Sequence, residues 1–298
     1  MICRGTVHRA PYATYPMTYQ AIDIHIHIQP LEMMNAETLT AFGAHHADFA
    51  EIREIVGDPA KFLKYLDRVG VEKAALINYV SPDVMGFTAE VNDWIARYAR
   101  HAPDRLIPCG SVHPRFCDDC AAEVERIANL GIKMLKVHPP HQLIYPNAYR
   151  DDLPQQAHIY ERAQALGLPV MFHTGTSIFP KARNKFAQPI FIDDVLVDFP
   201  KLKIILAHGG RPLWMNEAFF LLRRSKNVYL DISSIPPQSL LEYFPRLEQV
   251  ADQVMFGSDW PGPGVKDVGA NLEKFRALPL SDVVKQKILR DNALKVLG

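Results

Sequence analysis

The sequence predicts an α/β protein folded as a (β/α)8, or TIM, barrel. Eight short apolar or β-branched runs alternate with stretches of helical periodicity along the 298 residues. Runs that are apolar nearly throughout belong in a parallel sheet with helices packed over it. One barrel commonly takes ~250 residues, so the length requires no second unit.

In chain order the runs are Ala21–Ile28, Lys73–Tyr79, Leu106–Val112, Ile132–Val137, Pro169–Phe172, Lys203–Ala207, Val228–Ile232 and Gln253–Phe256. The helices between them carry start and stop signals. Asp58 is an N-cap followed by Pro59 at the first helical position. Phe62, Leu63, Leu66 and Val69 then form one stripe, which Gly70 ends. Val91, Trp94, Ile95 and Tyr98 repeat the stripe before Pro103, and Val195, Leu196 and Phe199 close another helix before Pro200. Ser281 caps a last helix, Val283 to Leu297, which stops at Gly298. An open doubly wound sheet is the competing fold. It usually has a glycine-rich turn after its first strand, and Ile28-Gln29-Pro30-Leu31 is nothing like one. The connection from Gln29 to Asp58 is far longer than an ordinary βα loop, which assigns it to the active site.

The expected organisation is an N-terminal extension, residues 1–20, and one barrel domain, residues 21–298. Met17 is a normal start for such a barrel, so Met1–Pro16 is expected to supply no ligand or catalytic group. Lys and Arg number 33 and Asp and Glu 33. That balance gives no field to attract nucleic acid or anionic lipid. No apolar run approaches the ~18 residues of a membrane span. A cytoplasmic protein with a small-molecule substrate, no nucleic-acid or membrane partner, and homodimeric by base rate is the expectation. Cys117-Asp-Asp-Cys120 has CxxC spacing without a second metal-binding pair, and is read as two reduced surface thiols.

Barrels of this kind hold their active sites at the C-terminal ends of the strands. Those ends carry His25 and His27, Asn78, His113, Lys136 and His138, His173, His208, Asp231 and Asp259. His25 and His27 are two apart on a strand, so both imidazoles face one side. The flanking Ile22, Ile24, Ile26 and Ile28 make that strand a buried one. Two imidazoles on one face are half of a zinc site. His173 and Asp259 each end an apolar run, and a buried Asp calls for a cation. His208 is followed by Gly209 and Gly210, which let a backbone or substrate approach closely.

The set His25-x-His27, His173, His208 and Gly257-Ser258-Asp259-Trp260-Pro261 resembles the amidohydrolase superfamily, in the branch that includes aminocarboxymuconate-semialdehyde decarboxylase. The resemblance implies a distorted (β/α)8 barrel and one divalent metal, zinc, on His25, His27, His173 and Asp259. It implies His208 as an acid/base or electrophile. Two-metal members carry a carbamylated lysine at the end of strand four, where Lys136 falls. One metal is the favoured reading, with Lys136 then holding an anionic substrate; a second metal on a carbamylated Lys136 is the alternative. His138, Arg211 and Trp214 are further candidates for substrate contact, Arg211 through a bidentate fork to a carboxylate. Asp231 is read as orienting a ligand. Pro261-Gly262-Pro263-Gly264 lacks a phosphate-loop ending and is read as a rigid turn.

The expected activity is metal-dependent hydrolysis of a small-molecule amide, lactone or ester. Asp259 and His208 are the catalytic residues: Asp259 moves the proton of the activated water and His208 polarises the carbonyl. The alternative keeps the site and removes CO2 from an aromatic or unsaturated acid; some aromatic-acid decarboxylases of the branch carry Glu at the position of His25. A non-catalytic metal-binding barrel is the third reading, distinguished by a closed ligand sphere.

Overall fold

The computed structural model describes residues 20–298. Its first strand, β1 (Ala21–His27), is buried on both faces: Ile22, Ile24 and Ile26 point one way, Asp23 and His25 the other, and none is more than 1% exposed. A strand in that position is apolar throughout because neither face meets water. Seven more strands follow, β2 (Val71–Ile77), β3 (Leu106–Gly110), β4 (Met134–Val137), β5 (Val170–His173), β6 (Ile204–Ala207), β7 (Val228–Asp231) and β8 (Val254–Met255). Each overlaps one of the expected runs.

All neighbours pair in parallel, in sequence order from β1 to β8. The chain just past β8 closes the ring onto β1. Ile24 N donates to Phe256 O at 3.0 Å, His27 N to Trp260 O at 2.7 Å, and Asp259 N to His25 O at 2.8 Å. The Asp23 carboxylate joins the two sides, with Oδ1 accepting from the backbone N–H of His25 and of Ser258, both at 3.0 Å. This is the barrel that the alternating pattern predicts.

The helix Pro59–Val69 is built as its signals require. Asp58 accepts from the backbone N–H of Ala60 and Lys61, and Gly70 ends the helix in the left-handed conformation, φ 74°. The last helix departs from expectation. Ser281 does cap it, but Asp282–Gln286 passes into a π-helical turn, Lys287–Asp291, before Asn292–Leu297. The cause lies on β8: Phe256 N donates to Ile288 O at 2.9 Å, and Asn292 Nδ2 donates to Ala251 O and Val254 O at 2.7 Å each. Carbonyls and side chains that serve the barrel rim are diverted from the regular i to i+4 ladder.

The long first connection is folded, not loose. It holds the helices Ala36–Gly43 and Phe49–Gly57. Asn35 caps the first of these through Thr38 N, and its Nδ2 donates to Val84 O at 2.9 Å. Gly86 (φ 91°) makes this clamp fit, since a Cβ there would stand 2.7 Å from Asn35 N. Cys117 and Cys120 correct one expectation. They form a disulfide, their Cα atoms 5.5 Å apart where the chain turns into the helix Cys120–Asn129, and Cys120 is buried. Met1–Pro16 lies outside the described residues. Among those described, no helix is long and apolar enough to cross a membrane.

Asp58→Ala removes one cap and leaves the core untouched. Its urea midpoint should fall by the equivalent of about 1 kcal/mol with an unchanged m value; an unchanged midpoint would contradict the capping role.

Candidate metal centre

His25 and His27 lean together from one face of β1, their Nε2 atoms 3.3 Å apart. Asp259 Oδ1 stands 3.2 Å from the first and 3.0 Å from the second. With bonds of ~2.1 Å to a cation, neighbouring ligand atoms would be roughly 3.4 Å apart in a tetrahedron and roughly 3.0 Å in an octahedron. The spacing fits either.

The hydrogen-bond chemistry fits as well. His25 Nδ1 donates to Asp231 Oδ2 at 2.5 Å, so in the neutral ring Nε2 carries the lone pair. That lone pair faces the Asp259 carboxylate, and two acceptors facing each other need a positive charge between them. Burial and the Lys136 cation work against protonation of His25, but Asp231 and Asp259 outweigh them and raise its pKa. Burial would raise the Asp259 carboxyl, yet the surrounding imidazoles of His208, His25 and His27 hold it well below the ordinary carboxylate range.

A second group shares two of these residues. His25, His208 and Asp259 each bring one ligand atom within 4.8 Å of the others. The tighter set with His27 has the spacing of a first coordination sphere, and His208 stands next to it. His208 Nδ1 lies 3.1 Å from Ser233 O, which fixes the hydrogen on Nδ1 and the lone pair on Nε2. Burial draws its pKa down to about 3, so it is neutral. Three residues here, His208, Ser234 and Asp259, hold left-handed backbone, with φ 66°, 57° and 69°. Non-glycine residues in that region are strained, and they cluster at functional sites. Ser234 Oγ donates to Asp259 Oδ2 at 2.5 Å, which aims Oδ1 at the imidazoles. Gly257 permits the crowding: a Cβ there would come within 2.3 Å of Asp231 Oδ1.

The other expected residues are placed as follows. His173 ends β5, its Nε2 3.1 Å from Gly175 O and its ring edge-on to His208 at 4.8 Å. Its Nε2 is thus engaged by the backbone, and Nδ1 is the nitrogen left to bind. Lys136 is buried in the barrel, Nζ 3.6 Å from Met171 Sδ, and makes no ion pair among the described residues. Burial lowers its pKa to about 8 against the pull of Asp231 and Asp259. It does not line the cleft, so its influence on a substrate is through space. Trp214 is also away from the cleft, at the start of the helix Met215–Arg224. His138 and Arg211 do line it.

That cleft has a cavity volume of about 170 Å³ and opens above the cluster. Met34 and Phe42 of the first connection, Met85 and Phe179 form apolar walls. Tyr79, His141 and Ser177 add a polar side that sequence reasoning missed. His141 had one weak signal: it follows His138 by three residues in Val137-His138-Pro139-Pro140-His141.

The amidohydrolase family profile matches residues 22–298. The chain belongs to the amidohydrolase family. No curated protein sequence matches it. Among solved structures, an uncharacterised TIM-barrel protein from Bordetella bronchiseptica is 22% identical with TM-score 0.71, covering 93% of this amidohydrolase and 98% of that chain. A 2,6-dihydroxybenzoate decarboxylase from Rhizobium is 19% identical with TM-score 0.67, the shares 94% and 98%. A probable 2-pyrone-4,6-dicarboxylic acid hydrolase from Acinetobacter baumannii is 16% identical with TM-score 0.67, the shares 94% and 99%. At these identities the likeness is one of fold.

Asp231→Asn keeps the shape of the buried pair and removes its charge. Loss of such a partner typically costs ~10–100-fold in metal affinity, and calorimetric titration of metal-stripped protein should show a loss in that range. Wild-type affinity in Asp231→Asn would contradict the orienting role.

Proposed function

We propose that this amidohydrolase is a metal-dependent hydrolase of a small-molecule amide, lactone or ester, with zinc as its metal. The observation that carries the reading is the convergence of His25 Nε2, His27 Nε2 and Asp259 Oδ1 under an open cleft. Those three residues would hold the ion, with His173 and His208 as the neighbours able to add a nitrogen. A bound divalent cation supplies Lewis acidity and brings the pKa of a coordinated water toward ~7.

The chain's own groups account for the proton. Asp259 is ionised, and its carboxylate, beside the ion, would accept a proton from the attacking water and return it to the leaving group, with Ser234 holding its orientation through Oδ2. His208 presents a lone pair and not an N–H. It therefore suits a proton acceptor or an added ligand, which revises the electrophilic role expected from sequence. Arg211 supplies the cation of the cleft and fits an anionic group of the substrate. The apolar walls exclude water from the remainder of the molecule. A closed structural metal site would lack such a cleft, which argues against the non-catalytic barrel.

Non-oxidative decarboxylation of an aromatic acid is the second reading. It draws on the fold shared with decarboxylases of 2,6-dihydroxybenzoate and 5-carboxyvanillate and on the aromatic and methionine walls. There Asp259 or His208 would first take a proton from a substrate hydroxyl or a water and then pass it to the carbon that loses CO2.

Turnover of a panel of lactones, esters and aromatic acids in ¹⁸O-labelled water separates the two. Label in a new carboxylate supports hydrolysis, and release of CO2 without label in the organic product overturns it. Chelator-stripped protein should lose turnover and regain it with Zn²⁺ or Mn²⁺; full turnover after stripping would defeat the metal requirement. Asp259→Asn should bind metal weakly and lose at least ~100-fold in turnover, since it removes both a ligand and the base.

A further inference from the structure

Three polar groups of the cleft have no part in the mechanism above. Tyr79 follows β2, His141 lies in the short helix Pro139–Gln142, and Ser177 follows β5. They are linked. Tyr79 Oη is 2.9 Å from His141 Nδ1, and His141 Nε2 is 2.7 Å from Ser177 Oγ.

The direction of these bonds follows from what each group can satisfy. The Tyr79 hydroxyl is buried and has no other acceptor among the described residues; its hydrogen is paired only if the phenol donates and His141 Nδ1 accepts, and that is the tautomer assigned to His141. Burial keeps His141 neutral, with its pKa drawn down to about 3. The ring hydrogen is then on Nε2 and is donated to Ser177 Oγ. Phe179 N donates to the same oxygen at 3.4 Å. With both bonds arriving at Oγ, the Ser177 O–H hydrogen has no acceptor among the described residues and is free for a ligand in the cleft.

The backbone around Ser177 is held firmly. Ser177 N donates to Asn184 Oδ1 at 2.8 Å, and Asn184 Nδ2 donates back to Ser177 O at 3.2 Å. Thr176 N donates to Arg211 O at 3.0 Å, which ties this segment to the one carrying Arg211. Gly175 (φ 112°) allows that contact, because a Cβ there would meet Arg211 O at 2.4 Å. Arg211 has a buried Nε without a partner and no ion pair among the described residues. Stacked imidazoles separate this corner from the ligand cluster: His141 on His138 at 3.6 Å, His138 on His173 at 4.0 Å, and His173 edge-on to His208 at 4.8 Å.

We propose that Tyr79, His141 and Ser177 form a hydrogen-bond relay that fixes the Ser177 hydroxyl as a donor, beside Arg211, to a carboxylate at the end of the substrate remote from the reacting bond. Ser177 touches the substrate, and Tyr79 and His141 are positioning residues. The substrate class is a small, flat, apolar skeleton with an oxygen function at each end. The inference rests on the proposed function only in assigning the reacting end to the metal cluster.

The probes are isophthalate, with two carboxylates on one ring, and benzoate, with one, titrated calorimetrically into metal-loaded protein. Benzoate can place its carboxylate at the cluster, while isophthalate can reach both ends. Ser177→Ala should weaken isophthalate by roughly tenfold or more, the loss of one hydrogen bond to a charged group, with benzoate within about twofold of wild type. Tyr79→Phe should reproduce the selective loss, because His141 is then free to take its hydrogen on Nδ1 and draw the Ser177 proton to Nε2. Ser177→Thr, which keeps the hydroxyl, should restore isophthalate binding. Unchanged isophthalate affinity in Ser177→Ala overturns the proposal, as does wild-type affinity in Tyr79→Phe or an equal loss for both probes. Metal counted on the same samples separates the claims. Protein that binds no metal defeats the metal-dependent reading, and a selective isophthalate loss in that protein still supports the relay.

Discussion

One buried contact organises the chemistry of this barrel. Asp231 Oδ2 and His25 Nδ1 meet at 2.5 Å with both side chains wholly shielded from water. A carboxylate in that position is tolerable only while it is paired. The pairing decides which nitrogen of His25 is protonated, hence which way its lone pair points. Everything at the ligand cluster follows from that orientation: Nε2 turns toward His27 and Asp259, and three electron-rich atoms converge where only a cation can satisfy them. Gly257 exists as glycine because the contact leaves no room for a Cβ.

The same logic extends outward through Ser233. Its Oγ donates to Asp231 Oδ2 at 2.7 Å, and its carbonyl accepts from His208 Nδ1 at 3.1 Å. One residue on the segment after β7 thereby sets the hydrogen-bond state of His25 on β1 and of His208 just after β6 together. Ser234, the next residue, does the same for Asp259. The strained backbone at Ser234, His208 and Asp259 is the cost of bringing these short segments to one point. Lys136 lies buried in the barrel near them, a cation with no ion pair among the described residues. With two carboxylates and neutral imidazoles, it lowers the net negative charge that a divalent ion would meet, and so favours an anionic ligand on that ion.

Much of this could be read from sequence, and the limits have physical causes. The eight strands were legible because a parallel strand buried on both faces must be apolar at nearly every position. His25 and His27 were legible because side chains two apart on a strand share a face whatever the rest of the fold does. The hydrogen-bonding partner of a histidine nitrogen is another matter. Neither the backbone engagement of His173 Nε2 nor the tautomer of His208 has a local sequence signal, since Gly175 O and Ser233 O are placed by tertiary structure. Tyr79, His141 and Ser177 come from three separate segments, after β2, after β4 and after β5, and meet only when the barrel closes. Trp214 looked like a neighbour of the site because it follows His208 closely, but the turn at Arg211 carries it away from the cleft. The π-helical turn at Lys287–Asp291 is set by a bond from Phe256, distant in sequence and invisible to helical periodicity.

The central claim is that His25, His27 and Asp259 form the core of a single metal site organised by Asp231. Anomalous diffraction from crystals of protein loaded with Zn²⁺ tests it most directly. The account predicts one peak per chain, within bonding distance of His25 Nε2, His27 Nε2 and Asp259 Oδ1, and an unmodified Lys136. No peak among these atoms, or two peaks bridged by a carbamylated Lys136, would contradict it.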